Sequence, residues 1–343
     1  MTTYNRHGIA IVGAGTIVEH GHLPAYATLG LPVVSLYDRD VERARTVAAK
    51  FEGVSVAESF GEILVDERID IVDFAITPSE QRTMAVEAAL AGRHVLCQKP
   101  LAPSLTDARS MVEATAGVGR VLAVNQQMRW ESSIRFTKHF LVDGSLGDPI
   151  AVHIHTNLNS DFPATHWLSR EPRLMTMFGT IHFLDSLRYL FGEPVAVTAK
   201  LLRDPQQNPL GEMWINVWVE WASGLLAVIY DRYTNYAGDQ ASMFRVEGTR
   251  GVLKARWGLW DDYPQRSPST VMFKERSAKT WTTVDDVSAW LPDAFGPPML
   301  ELLTCADSGN EHLTSWRDNL KTLALVEAVY ASSDTARRME MQL

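Results

Sequence analysis

Between residues 8 and 124 the chain alternates short, almost wholly apolar runs with helical stretches, and this alternation restricts its fold more than any other feature. Ile9–Val12, Val33–Tyr37, Ile69–Ile76, His94–Cys97 and Val121–Asn125 read as strands, while Leu23–Leu29, Val41–Phe51, Met84–Ala91 and Thr106–Thr115 have helical spacing. Strands that are apolar on both faces need cover on both faces, which means a parallel sheet with helices above and below and right-handed crossings. The expected N-terminal fold is therefore a doubly wound Rossmann α/β domain over residues 1–124. After residue 124 the grammar changes. Ile150–Thr156, Val195–Leu201, Trp214–Trp221, Leu225–Tyr230, Ser242–Glu247 and Gly251–Ala255 alternate in the manner of half-buried strands, with helices at 131–143, 174–191 and 312–331. All ten tryptophans lie between Trp130 and Trp316. That step marks residues 125–343 as an α+β domain built on a large, open, mostly antiparallel sheet. Trp214 and Trp218 share one strand face, as core or as a subunit interface. Residues 261–298, rich in Pro, Ser, Asp and Thr, read as long surface loops.

The first strand ends in Gly13-Ala14-Gly15 and a helix follows. The first glycine permits a tight turn and the second lets backbone approach a pyrophosphate. The helix N-terminus at Thr16 and Ile17 offers free N–H groups and a partial positive charge. The third fingerprint position is Val18 rather than glycine, so looser helix–strand packing is expected there. Asp38 closes the second strand, where a carboxylate accepts hydrogen bonds from both ribose hydroxyls and repels a 2′-phosphate. This favours NAD over NADP, although Arg39 beside it partly offsets the charge. Asp38 alone reads equally as a strand-end turn residue.

Composition narrows the partners. The net charge of −9 disfavours nucleic acid and anionic membranes. No run approaches the roughly 18 apolar residues of a bilayer span. Cys97 and Cys305 are too few for a disulfide framework, and Met1–Gly8 does not have the pattern of a secretory leader, so a cytoplasmic location is expected. His153 and His155 stand two apart on a strand but lack matched Cys, Asp or Glu, and no metal site is expected.

From residue 75 the sequence becomes specific. It reads Ala75-Ile76-Thr77-Pro78, then Ala88-Ala89-Leu90-Ala91-Gly92-Arg93-His94-Val95 and Gln98-Lys99-Pro100. Later come Asn125-Gln126-Gln127-Met128-Arg129-Trp130, Gly144-Ser145-Leu146-Gly147-Asp148 and Ile181-His182-Phe183-Leu184-Asp185. Over its whole length the chain resembles the glucose–fructose oxidoreductase / inositol dehydrogenase / rhizopine-catabolism (Gfo/Idh/MocA) family. The resemblance implies an NAD-dependent oxidoreductase that moves hydride from a hydroxyl-bearing carbon of a sugar, sugar derivative or polyol, and the open sheet rich in aromatics suggests a homodimer or homotetramer. Two rival readings are a redox-neutral elimination with retained cofactor and a cofactor-bound sensor without catalysis.

The expected cofactor residues are Gly13, Gly15, Thr16, Ile17, Asp38, Arg39, Thr77, Pro78, Lys99 and Asn125. The expected catalytic pair is Lys99 and His182. Lys99 stands at the carboxyl end of a parallel strand, where doubly wound sheets bind ligands, and favours alkoxide character in a bonded hydroxyl. Without the resemblance it reads as a solvated loop lysine. His182 takes the hydroxyl proton, or is a core histidine satisfied by Asp185, which shares its helix face. Substrate contacts are expected from Arg129, Trp130, His155, Asp161, His166, Trp167 and Asp185, an assembly of aromatic and polar groups suited to a polyhydroxylated ligand. Two departures stand out: Gln98 replaces the family's glutamate, and Phe178 replaces an aspartate found four residues before the histidine in many members.

Overall fold

The computed structural model describes residues 6–341 apart from 161, 235–237 and 239. The chain divides into two compact units: residues 1–127 with 291–321, and residues 128–290 with 322–343.

The first unit holds six parallel strands, β1 (Gly8–Val12), β2 (Val33–Tyr37), β3 (Ser55–Val56), β4 (Ile69–Phe74), β5 (His94–Gln98) and β6 (Leu122–Asn125), in the order β3-β2-β1-β4-β5-β6. Every residue of β1 is buried, as expected of a strand covered on both sides. The intervening helices are α1 (Leu23–Thr28), α2 (Val41–Ala48), α3 (Phe60–Val65), α4 (Pro78–Leu90) and α5 (Leu105–Ala114). Their starts are chemically marked. Asp40, Ser59 and Ser104 accept from the backbone N–H of Arg43, Glu62 and Asp107. Pro78 opens α4, where its missing N–H costs nothing, so the helix begins six residues before the Met84 start expected from periodicity.

The second unit contains α6 (Ser132–Val142) and α7 (Ile181–Phe191). Its sheet has nine strands: β7 (Pro149–Asn157), β8 (Ala196–Leu202), β9 (Trp214–Glu220), β10 (Leu226–Arg232), β11 (Ala241–Gly248), β12 (Gly251–Arg256), β13 (Thr270–Glu275), β14 (Thr282–Thr283) and β15 (Met339–Glu340). They run β14-β13-β12-β11-β7-β10-β9-β8-β15, antiparallel throughout except for β7 beside β10. Burial alternates along β7, β9 and β10. One face packs on the unit's core, and the other carries exposed Trp218, Leu226, Tyr230 and Met243.

The stretch 261–298 is not all surface loop. It contains β13 and β14, and Trp290, Leu291 and Phe295 are buried. These few apolar residues are scattered among turn formers, which hid them from a composition argument. The remaining helices, α8 (Gly296–Ser308) and α9 (Trp316–Thr335), complete the chain. No described helix is long and apolar enough to cross a membrane.

Candidate active site

The glycine turn after β1 is built around close approaches. Gly13 has φ +109°, and a Cβ there would sit 2.4 Å from the Ala75 carbonyl oxygen, so glycine is required twice over. At Gly15 an added Cβ would meet nothing within 4 Å, leaving the backbone open on the side a pyrophosphate would take. Asp38 ties this turn to the end of β2. Its Oδ2 accepts from Ala14 N–H at 2.8 Å and its Oδ1 from Asp40 N–H at 2.9 Å. Val18 corrects the expectation of loose packing. It is fully buried and opens a π-helical turn, Val18–His22, and close packing falls instead to Gly21, against Leu291 and Phe295. The wider turn accommodates the larger side chain. Thr16 is exposed and Ile17 half-buried, and the N–H groups of Val18 and Glu19 both donate to the Gly15 carbonyl.

Arg39 is paired with a carboxylate. It is exposed and pairs with Glu80 at 2.8 Å, while the other Glu80 oxygen accepts from the Thr77 hydroxyl at 2.8 Å. The offsetting charge beside Asp38 is thus engaged by a second carboxylate. Asp38→Ser is expected to narrow the preference for NAD over NADP by about tenfold or more, read as the ratio of dissociation constants. An unchanged ratio would remove Asp38 from cofactor selection.

Lys99 follows β5, one residue after the register pair Gln98–Asn125. It is half-buried, and desolvation lowers its ammonium to about 8. The Lys99–Pro100 peptide is cis. Gln98, in place of the family's glutamate, turns its amide oxygen back to accept from Lys99 N–H at 3.1 Å. One residue that sequence reasoning missed holds this turn. The buried Gln81 amide nitrogen, on α4, donates to the carbonyls of Gln98, Pro100 and Leu101 at 2.8, 3.1 and 3.0 Å. Gln81→Leu leaves those carbonyls without this donor. It is expected to lower kcat about tenfold while the KM for NAD changes little. A loss confined to KM would deny it this positioning role.

In the second unit, a π-helical turn at Thr176–Thr180 leads into α7. His182 lies on α7, buried, with its ring edge-on to Trp290 at 5.4 Å. Arg129 and Asp185 were expected to touch substrate, but each is spent on the other. Arg129 Nε and Nη2 donate to Asp185 at 2.7 and 2.8 Å, the Thr322 hydroxyl adds a third bond at 2.6 Å, and both residues are buried. They brace the helix that carries His182. Trp130 is half-buried beside them.

His155 also departs from expectation. Thr156, its neighbour, points inward to Asp231, which accepts from Thr180 at the start of α7 at 2.6 Å. Strand alternation therefore turns His155 to the opposite, open face, where it meets the Tyr230 ring at 5.0 Å. Asp161 lies outside the described residues. His166 accepts from Leu168 N–H, and its ring stacks on exposed Trp167. Trp167 in turn meets Phe178 edge-to-face at 5.2 Å. The position of the missing family aspartate is thus part of an aromatic wall. Among the described residues no His, Cys, Asp or Glu cluster could hold a metal.

Two family models match this chain, and they cover nearly all of it. Residues 7–126 match the NAD-binding Rossmann fold of the oxidoreductase family, and residues 138–341 match its C-terminal α/β domain. The chain belongs to the Gfo/Idh/MocA oxidoreductase family. Membership makes it an NAD-dependent oxidoreductase. It is 31% identical to a D-apiose dehydrogenase of Paraburkholderia graminis, covering 99% of this chain and 91% of that one. It is also 31% identical to an inositol 2-dehydrogenase of Streptomyces avermitilis, covering 98% and 94%. Among solved structures, aldose–aldose oxidoreductase from Caulobacter crescentus, complexed with glycerol, shares the fold with a TM-score of 0.84 at 23% identity, covering 98% and 100%.

Proposed function

We propose that this family member oxidises a hydroxyl-bearing carbon of a sugar or polyol, with Lys99 and His182 as its catalytic residues. The observation that carries the reading is Lys99 itself: a half-buried amine at the carboxyl end of a parallel strand, its turn held by Gln81 and its ammonium destabilised by burial. A merely solvated loop lysine needs none of this. The residues of the first unit fit a dinucleotide. Gly13 and Gly15 keep the turn open, Asp38 stands at the end of β2 for the ribose, and Thr77, Pro78 and Asn125 stand at neighbouring strand ends. When bound, NAD supplies the hydride acceptor.

The chain's own groups do the rest. Lys99 as an ammonium donates to the substrate oxygen and stabilises negative charge developing there. His182 as a neutral imidazole takes the hydroxyl proton, and its burial against Trp290 holds the ring in place. Trp167 and Phe178 offer apolar faces to the C–H side of a sugar ring. The relatives named for D-apiose and inositol set the order of trial. With NAD, NADH absorbance is expected to rise with D-apiose or another aldose, with a weaker rise or none with NADP. A sugar consumed without NADH would contradict net oxidation and favour redox-neutral elimination.

The same reading places the enzyme in the cytoplasm, consistent with two free, buried cysteines. It also gives the open face of the second sheet a second copy of the chain as its cover, through exposed Trp218, Tyr230 and Met243. Trp218→Glu is expected to shift the sedimenting species to monomer, and an unchanged species would place the interface elsewhere.

A further inference from the structure

The first unit buries a polar triad that has no part in the contacts described above. His22, Asp73 and Tyr26 have no exposed surface. His22 Nδ1–H donates to Asp73 Oδ2 at 2.6 Å, and the Tyr26 hydroxyl donates to the same oxygen at 2.7 Å. Burial, with the Asp73 charge beside it, raises the Tyr26 phenol well above its ordinary range, so it stays a donor. The remaining atoms, Asp73 Oδ1 and His22 Nε2, are buried without a hydrogen-bond partner.

Such an arrangement is a poor way to stabilise a fold. Each unbonded buried group is a cost, and apolar side chains of similar volume in place of a buried charged pair are often neutral or stabilising. What a buried polar pair does better than apolar packing is to fix one register against its neighbours.

The register at stake is that of the π-helical turn after the glycines. His22 is the last residue of that turn, and Leu23 N–H donates to the Val18 carbonyl, five residues back. Just ahead stands Gly15, whose carbonyl accepts from both Val18 and Glu19 N–H, so the glycine turn and the π-helical turn are one bonded stretch. Asp73 lies on β4, which pairs in register with β1, the strand that delivers Gly13. The triad thus ties the far end of the stretch to the sheet that holds its near end. Leu291 and Phe295 close on it too, since a Cβ at Gly21 would come within 3.1 and 3.2 Å of them. Relaxation to an ordinary α-helical turn would take one residue out of the loop. The residues ahead would turn by about 100° and move by about 1.5 Å. Backbone N–H groups aimed at an anion lose their alignment under such a change.

We propose that His22, Asp73 and Tyr26 are a register lock on this stretch, holding Gly13–Gly15 in the form that receives the cofactor pyrophosphate. They are positioning residues and touch no ligand. The proposal rests on the dinucleotide reading of the first unit.

Two variants test it. His22→Leu, Asp73→Val and Tyr26→Phe together replace the lock by apolar side chains of comparable size. Asp73→Asn keeps an amide oxygen that accepts from His22 and Tyr26. The measurements are the dissociation constant for NAD by calorimetry, and the melting temperature and amide hydrogen exchange of the ligand-free protein. The triple variant is expected to melt within a few degrees of the unaltered protein and to exchange faster over residues 13–23 alone. It should bind NAD about tenfold more weakly, the equivalent of one lost charge-assisted hydrogen bond. Asp73→Asn should bind NAD within about twofold of the unaltered protein, because the tie survives. Unchanged NAD affinity or unchanged exchange over residues 13–23 in the triple variant overturns the proposal. So does a triple variant that fails to fold, or that loses NAD affinity along with a large part of its melting temperature, since the triad would then be serving the fold. Asp73→Asn as weak as the triple variant also overturns it. Failure of the unaltered protein to bind NAD would instead count against the dinucleotide reading.

Discussion

Lys99→Ala is expected to lower kcat several hundred-fold while the dissociation constant for NAD stays within about twofold of its original value. Positioned proton-handling groups contribute about 10²–10⁴ in rate, and the Gln81 amide holds the turn that carries Lys99. The pH profile supplies the sign. Burial lowers the ammonium from its ordinary range to about 8, so the charged form predominates below that pH and is lost above it. A reaction that needs the ammonium to stabilise developing alkoxide therefore loses kcat/KM as pH rises through about 8. In Lys99→Arg the charge persists, so whatever activity remains should lack that alkaline decline. Full activity in Lys99→Ala would remove the residue from the mechanism. A rate that climbs through pH 8 would make the neutral amine the working form.

The second large effect concerns stability. Arg129→Met leaves the Asp185 carboxylate buried without its bidentate partner, which costs about 3–5 kcal/mol for a pair of this kind. Arg188 Nη1, at 3.7 Å, is too far to replace two bonds at 2.7 and 2.8 Å. For a protein of this size the melting temperature should fall by on the order of 10 °C. His182 shares the helix, so kcat should fall as well. Adding Asp185→Leu removes the stranded charge and should restore most of the lost stability, because an apolar pair of similar volume avoids the desolvation cost. A loss below about 1 kcal/mol in the single variant would show that this pair does not brace α7.

What could be read from the residues, and what could not, divides along physical lines. The strands β1, β2, β4, β5 and β6 were legible because a strand buried on both faces leaves a short apolar run, and runs such as Ile9–Val12 have no rival interpretation beside their helices. Ser55–Val56 escaped because a two-residue edge strand, partly exposed, has no periodicity to show. Glycine chemistry at Gly13 and Gly15 was legible for the same local reason: one turn, one strand end, one helix start. Val18 was misjudged because a π-helical turn is set by packing, not by composition. The roles of Gln81, Arg129 and Asp185 depend on partners 17 to 137 residues away. Nothing in the spacing of Arg129 and Asp185 says that each will consume the other's charge. His155 was placed by chemistry when its strand parity, opposite to Thr156, already decided its face. The return of residues 291–321 to the first unit is similarly non-local, built on bonds such as Trp316 to the Ala123 carbonyl.

The central claim is that a carbinol hydrogen of a sugar becomes hydride on the nicotinamide ring with the help of Lys99 and His182. The most direct measurement follows D-apiose, or whichever aldose scores in the substrate screen, deuterated at the reacting carbon. The account predicts reduced cofactor carrying deuterium, formed in proportion to sugar oxidised and suppressed in both Lys99→Ala and His182→Ala. Sugar turnover without reduced, deuterated cofactor, or undiminished label transfer in those two variants, would contradict it.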